Sequence, residues 1–163
     1  MKKFKVSILM TVYNHQRYVY KSIKSILNQS YNNFEFIIIN NGSSDSSWDI
    51  IKKFKDKRIK IYNLKKNIGR TECLNFGLKK CKGKFIAIQD SDDVSKKNRI
   101  LTQINYLKKN KEISLVGSGY DIIDQKGKIL RTEKLKVDLS TNPKLIVFKN
   151  IIGHSTVMYK KDI

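Results

Sequence analysis

Lys84-Phe85-Ile86-Ala87-Ile88-Gln89 is an apolar run that passes without a break into Asp90-Ser91-Asp92-Asp93. A short apolar run bounded by polar turn residues predicts a buried strand. Three carboxylates within four residues repel one another unless a cation or a proton relieves them. Hard divalent cations take oxygen ligands, and Mg²⁺ commonly uses one or two carboxylates together with substrate phosphates. The cluster therefore suits a metal-diphosphate site. It equally suits a solvated acidic turn that caps the next helix, with Ser91 or Asp93 as the cap.

Outward from this stretch, strand-like runs alternate with helical spacing. Upstream, Val6–Met10 predicts a first strand. Tyr18, Val19, Ile23, Ile26 and Leu27 then repeat at helical intervals, with Asn14 as the expected cap. Phe34–Ile39 is a second strand. Gly42 to Ser47 is a turn into a helix whose inner face is Trp48, Ile51 and Phe54, and Ser46 with Asp49 resembles a capping box. Arg58–Leu64 is a third strand. After the Asn67-Ile68-Gly69 turn comes a helix with Cys73, Gly77 and Cys81 in one row, small enough to lie close against a sheet.

Downstream of the acidic cluster, Ile100, Ile104 and Leu107 mark a helix and Ile113–Gly119 a fifth strand. Lys126-Gly127 predicts a hairpin turn between Asp121–Asp124 and Lys128–Arg131. Pro143 precedes one more apolar segment, Leu145–Phe148. Strand and helix in alternation predict an α/β fold, a mostly parallel sheet with helices on both faces. In such sheets ligands bind beyond the carboxyl ends of the strands. That rule gathers Thr11 to Asn14, Asn40 to Ser43 and Asp90 to Asp93 at one edge, although they are far apart in the chain.

The 163 residues suit a single domain with a sizeable core. The net charge of +20 arises from 34 Lys and Arg against 14 Asp and Glu. It is compatible with nucleic-acid binding, with an anionic membrane or phosphate-bearing substrate, or with lysines that merely solvate the surface. No apolar run approaches the roughly 20 residues of a membrane helix. The basic, then apolar, opening Met1–Met10 lacks a small-residue cleavage site and is expected to be a buried strand, not a signal peptide. Cys73 and Cys81 stand eight residues apart, too far for a disulfide within one helix and without companions for zinc. Buried thiols in a reducing compartment are expected, and the protein is expected to be cytoplasmic, with peripheral association at the inner face of an anionic membrane.

The order of these pieces resembles family 2 glycosyltransferases of the GT-A fold. Val6 to Asn14 is similar to their opening strand, Ser25-Ile26-Leu27-Asn28-Gln29-Ser30-Tyr31 to their "SILNQTY", and Ile39 to Asp45 to their "DDGSTD" loop with two substitutions. Asn67-Ile68-Gly69, Leu74-Asn75 and Gly83 to Ala87 lead, as in the family, into the D-x-D region at Asp90 to Asp93. Arg99 and Gln103 fit the "R…Q" of the following helix, and His154 to Tyr159 resembles "H-T-V-M-F". Each match alone is weak, whereas the ordered series from about Lys5 to Lys160 is specific.

The resemblance implies a nucleoside-diphosphate sugar as donor, a UDP-sugar in first place, with Mn²⁺ or Mg²⁺ as cofactor. The acceptor would be a saccharide or lipid-linked molecule in cell-surface polysaccharide synthesis, and the transfer would invert the anomeric centre. Residues 1–125 would form the donor-binding part and 126–163 an incomplete acceptor-side part. Donor contacts fall to Thr11, Tyr13, Asn41, Arg70, Asp90 and Asp92, metal contacts to Asp92 and Asp93, and acceptor-side contacts to Arg99 and His154. Asn stands at positions 40 and 41 where the family usually has Asp, which bears on nucleotide identity because an amide both donates and accepts. The catalytic base is expected beyond Ile163, downstream of the H-T-V-M strand, so that the chain would be a truncated form with little transfer activity alone. Asp162 is not expected to serve.

Other classes fit less well. A nucleotidyltransferase needs a Gly-rich phosphate loop after the first strand, and a dinucleotide oxidoreductase needs G-x-G-x-x-G there. Neither pattern is present. A response regulator needs an acidic pair after that strand. No nucleic acid is expected as a specific partner. The non-enzymatic alternative is a basic module that binds nucleotide, RNA or membrane, with affinity that falls steeply with salt.

Overall fold

The structure is a computed structural model and describes residues 5–134 and 152–161. The segment Leu145–Phe148 and Asp162 lie outside the described residues. β1 (Val6–Val12), β2 (Phe34–Asn41), β3 (Ile59–Leu64) and β4 (Phe85–Ile88) are parallel. α1 (Val19–Leu27), α2 (Ser47–Ile51) and α3 (Arg70–Lys80) connect them, and α4 (Arg99–Lys109) follows β4. β5 (Leu115–Val116) and β8 (Met158–Lys160) complete a six-stranded sheet of order β3-β2-β1-β4-β8-β5, with β8 antiparallel to both neighbours. A separate hairpin pairs β6 (Tyr120–Ile123) with β7 (Ile129–Glu133), close to the expected limits.

Every position of β2 is buried, and in β1 only Thr11 is less than buried. This is the pattern of strands covered on both faces. On one face Ile8, Met10, Phe36 and Ile38 meet Ile23 and Ile26 of α1, Ile51 of α2, and Ile100, Ile104 and Leu107 of α4. On the other, Leu9, Ile37, Ile39, Ile86 and Ile88 meet Cys73 and Cys81. α3 lies close because Gly77 has no side chain: a Cβ there would sit 2.4 Å from Leu9 Cδ1. Both thiols are free and buried, and desolvation pushes each up to about 11.

Three local expectations are corrected. Asn14 does not cap α1. It has φ 54°, and its side-chain oxygen accepts the Ser44 N–H at 2.9 Å, while Tyr18 occupies the cap position. The Ser46 side chain makes no cap bond either, and Asp45 accepts the Ser47 N–H instead. The fifth strand is two residues long because the Ser118 N–H turns to Thr156 Oγ1 and leaves the ladder. β8, from the part expected on the acceptor side, lies inside the central sheet between β4 and β5.

At the amino ends of the strands sits a buried acid. Glu35, with a side chain 0% exposed, accepts from Ser7 Oγ at 2.6 Å and from the Lys82 N–H, and pairs with Lys60 at 2.7 Å. Burial alone would raise its pKa, but the bonds from Lys60, Ser7 and Lys82 outweigh it and hold the carboxyl below the ordinary range. A depressed folded-state pKa gives stability that is present above the unfolded value of about 4.3 and is lost as pH falls through the folded value. Glu35→Gln should therefore lower stability by about 2 kcal/mol at pH 7. Urea unfolding should show that this difference shrinks on acidification below about pH 4.

Candidate donor-binding site

The sheet order reverses between β1 and β4: the chain runs outward through β2 and β3, then returns to the other side of β1. Such a switch point leaves a crevice at the carboxyl ends of the two strands. A cleft of about 380 Å³ opens there, lined by Thr11, Val12, Tyr13, His15, Asn41, Asn67, Gly69, Arg70, Asp90, Ser91 and Asp92. The six residues assigned to the donor from sequence thus line one cavity. Tyr13 is 45% exposed and available for stacking. A second depression, lined by Ser25, Asn28, Val94, Ser95 and Lys97, holds no carboxylate.

Electrostatically the cleft pairs opposite charges. Arg70, at the start of α3, donates through Nη2 to both Asp90 oxygens at 3.1 and 3.2 Å. The same Nη2 lies 3.1 Å from His154 Nδ1, which is itself 3.8 Å from Asp90 Oδ1. His154 opens a single turn of 3₁₀ helix, His154–Thr156, ahead of β8, and this cluster places it at the rim of the cleft. Asp92 is exposed beside them. Asp93 is directed elsewhere and bonds to Ser155. Partial desolvation, then the neighbouring Asp92 and Asp90, push its carboxyl above the ordinary range. The residue keeps solvent access, so this desolvation is that of a crowded strand end, not of the core.

Among the described residues no three His, Cys, Asp or Glu side chains are grouped to hold a metal by themselves. The donor set at the cleft is Asp90 and Asp92. Two carboxylates fit a divalent cation whose remaining oxygens come from a diphosphate and water. Asp93, expected beside Asp92, does not line the cleft.

Arg99, expected on the acceptor side, does not line the cleft. The residue is half-buried and its guanidinium is enclosed behind the acidic turn, where it donates to Ile88 O at 2.8 Å and to Gln89 Oε1 and Ser95 Oγ at 3.0 Å. Burial holds it down to about 10, while the Asp93 and Asp90 charges oppose that fall. It supplies a fixed positive charge near the Asp93 and Asp90 carboxylates. Gln103, its companion in the motif, donates to Thr156 O at 2.6 Å and anchors the 3₁₀ turn. Gln29 accepts the Ile100 N–H at 3.0 Å and donates to Lys96 O, joining α1 to the start of α4.

Asn41 is buried at 4% exposure and its amide is engaged. Nδ2 donates to Asn67 Oδ1 and Gly69 O, and Oδ1 accepts the Ile68 N–H at 3.0 Å. Its function in this arrangement is to hold the loop that carries Arg70. Asn40 donates to Asn63 Oδ1 at 2.7 Å. His15, absent from the sequence reading, lines the cleft with its Nδ1 2.6 Å from Ser91 Oγ. Its one sequence signal is its place in the loop after the first strand.

The sequence model described as Glycosyl transferase family 2 matches residues 7–162. The chain belongs to that family. This family 2 glycosyltransferase is 40% identical, over 164 residues, to the O-antigen biosynthesis glycosyltransferase WbnJ of Escherichia coli, covering 97% of this chain and 62% of the relative. It is 35% identical to the uncharacterized glycosyltransferase MJ1057 of Methanocaldococcus jannaschii, covering 100% of this chain and 58% of that one. The glycosyltransferase chain thus spans roughly three-fifths of the length of these relatives. Among solved structures it is similar to S. aureus TarS, with a TM-score of 0.72 at 21% identity over 97% of this chain and 28% of TarS. It is also similar to the mannosyltransferase PcManGT of Pyrobaculum calidifontis in complex with GDP-Man and Mn²⁺, with a TM-score of 0.69 at 13% identity over 96% of this chain and 44% of that chain. At those identities the likeness shows the shared GT-A fold. A TarS structure with a TM-score of 0.72 is in complex with UDP-GlcNAc.

Proposed function

We propose that the cleft between β1 and β4 binds a nucleoside-diphosphate sugar, a UDP-sugar in first place, with Mn²⁺ or Mg²⁺. The sugar is presented for inverting transfer to a saccharide or lipid-linked acceptor in cell-surface polysaccharide synthesis. The observation that carries the reading is the meeting of Thr11, Tyr13, Arg70, Asp90 and Asp92 at one switch point. The UDP-GlcNAc and GDP-Man/Mn²⁺ complexes of proteins with this fold support the donor class, and the O-antigen relative supports the acceptor class.

Tyr13 and Thr11 offer a stacking face and a hydroxyl for the nucleoside. Asp92, with Asp90, would hold the cation, which when bound neutralises charge on the leaving diphosphate. Arg70 balances Asp90 and lies within the same cleft as the phosphates. The test is thermal unfolding with UDP, GDP and dTDP, with and without Mn²⁺. At a ligand concentration of about 100 Kd, binding adds about 2.7 kcal/mol, a rise of about 5–10 °C in Tm for a chain of this size. A flat response to every nucleotide, together with RNA binding that collapses with salt, would favour the basic binding module instead.

A peripheral association with anionic membrane is part of the proposal. Among the described residues no helix is long and apolar enough to cross a membrane. The topology collects exposed Lys52, Lys53, Lys57, Lys82, Lys84 and Lys109 at helix carboxyl ends and strand amino ends, the edge opposite the cleft. Each lysine near an anionic surface contributes about 1 kcal/mol. Sedimentation with phosphatidylglycerol vesicles should therefore be strong in low salt and weak at about 0.5 M, where screening lengths fall below about 5 Å. Failure to sediment in low salt removes the membrane from the proposal.

A further inference from the structure

The cleft is built from loops that hold one another through side chains. In the loop after β1, the backbone N–H groups of Asn14, His15 and Gln16 donate to Ser43 Oγ at 3.1 Å, Ser47 Oγ at 2.9 Å and Asp45 Oδ2 at 3.0 Å. The loop after β2 answers with the Ser44 and Ser46 N–H groups, which donate to Asn14 Oδ1 and Gln16 Oε1. The serine-rich loop is thus a clasp on its neighbour. The clasp reaches the acidic turn through a side-chain pair, His15 Nδ1 and Ser91 Oγ at 2.6 Å.

Ser91 is 2% exposed and sits between Asp90 and Asp92. A hydroxyl buried to that extent needs a partner, and the imidazole supplies it. The turn is held from below as well: Gln89 Nε2 donates to the Asp90 and Asp93 carbonyls, and Ser22 Oγ to Asp90 O. Those bonds fix the ends of the turn, whereas His15 grips its middle residue. Adjacent carboxylates that repel one another would otherwise spread until a cation drew them together. A turn held in place beforehand does not have to be ordered on binding.

We propose that His15 is a positioning residue of the donor site, which through Ser91 holds Asp90 and Asp92 facing the cleft. The proposal rests on the donor-site reading above. The competing role is direct contact with the donor, since His15 also lines the cleft. The two roles separate chemically. The side-chain amide of Asn can occupy the place of Nδ1, and that of the longer Gln the place of Nε2.

Two readouts are compared for His15→Ala, His15→Asn, His15→Gln and Ser91→Ala. In the ligand-free chain, hydrogen exchange of residues 90–93 should quicken about 10-fold in His15→Ala and in Ser91→Ala, from loss of one hydrogen bond. It should return toward the wild-type rate in His15→Asn, while His15→Gln behaves as the Ala variant. By calorimetry with Mn²⁺ present, UDP affinity should follow the same order, about 10-fold weaker in His15→Ala and restored in His15→Asn. Adding Ser91→Ala to His15→Ala should weaken it no further. Unchanged exchange in His15→Ala overturns the proposal, as does affinity restored by Gln and not by Asn. If the wild-type chain binds no UDP, the donor-site reading falls, while the exchange order still decides whether His15 holds the turn.

Discussion

Asp92→Asn should remove the Mn²⁺-dependent part of nucleoside-diphosphate binding, with a loss of at least about 100-fold in affinity, while Asp93→Asn should stay within about 3-fold of wild type. Outer partners of a metal typically cost 10–100-fold when changed, so a ligand in direct contact costs at least the upper figure. Asp92 lines the same cleft as Arg70 and Asp90. Asn in its place keeps the shape and removes the charge. Asp93 bonds to Ser155 and does not line the cleft, and partial desolvation raises its carboxyl above the ordinary range. An amide at that position can keep a bond to the Ser155 hydroxyl. Calorimetric titration of UDP with and without Mn²⁺ measures both variants. Equal losses in the two would show that the metal bridges both carboxylates, and an unchanged Asp92→Asn would place the metal elsewhere. Neither variant should move the urea midpoint much, because both side chains are exposed.

Gly42→Ala should cost about 3 kcal/mol of stability and weaken donor binding as well. Gly42 has φ +68°, a region that costs an L residue about 1–2 kcal/mol. A Cβ there would stand 2.4 Å from the Lys66 carbonyl carbon and 2.5 Å from the Asn67 nitrogen. These are backbone atoms, so no side-chain rotation relieves the overlap. The loop would shift, and Asn67 and Gly69 on that loop line the cleft. Gly127→Ala is the matched control. Its φ is +88°, but no atom lies within 4 Å of the added methyl, so only the conformational cost of about 1–2 kcal/mol applies. If denaturant unfolding gives the two variants the same loss, the close packing of Gly42 against the β3–α3 loop is not a constraint in solution.

The alternation of strand and helix was legible because parallel strands buried on both faces leave unbroken apolar runs such as Phe34–Ile39. Cys73 and Gly77 were legible as a close-packed helix face because small residues at helical spacing have few other uses, whereas Cys81, expected in the same row, lies just past the end of α3 with extended backbone. The fifth strand was overestimated. Its apolar composition says nothing about β8, which arrives from some 40 residues later and pairs with only two of its residues. Side-chain assignments fared unevenly for a related reason. Arg99 and His154 carry the same kind of polar label in sequence, yet one is enclosed beneath the acidic turn and the other is 46% exposed beside Arg70.

The sequence by itself determined the fold class and which strand ends border the cleft. Both depend on strand order and on which residues follow a strand, and those are properties of position along the chain. Thr11, Tyr13, Asn41, Arg70, Asp90 and Asp92 meet because their strands and helix end at one edge of the sheet. Only the tertiary structure decided what each polar side chain does there. Asn41 spends its amide on the Asn67–Gly69 loop, Asp93 turns to Ser155, and His15 reaches Ser91 across 76 residues of sequence. The direction of a side chain is set by loop dihedrals such as the φ of 54° at Asn14, and by partners that the fold alone brings within 3 Å.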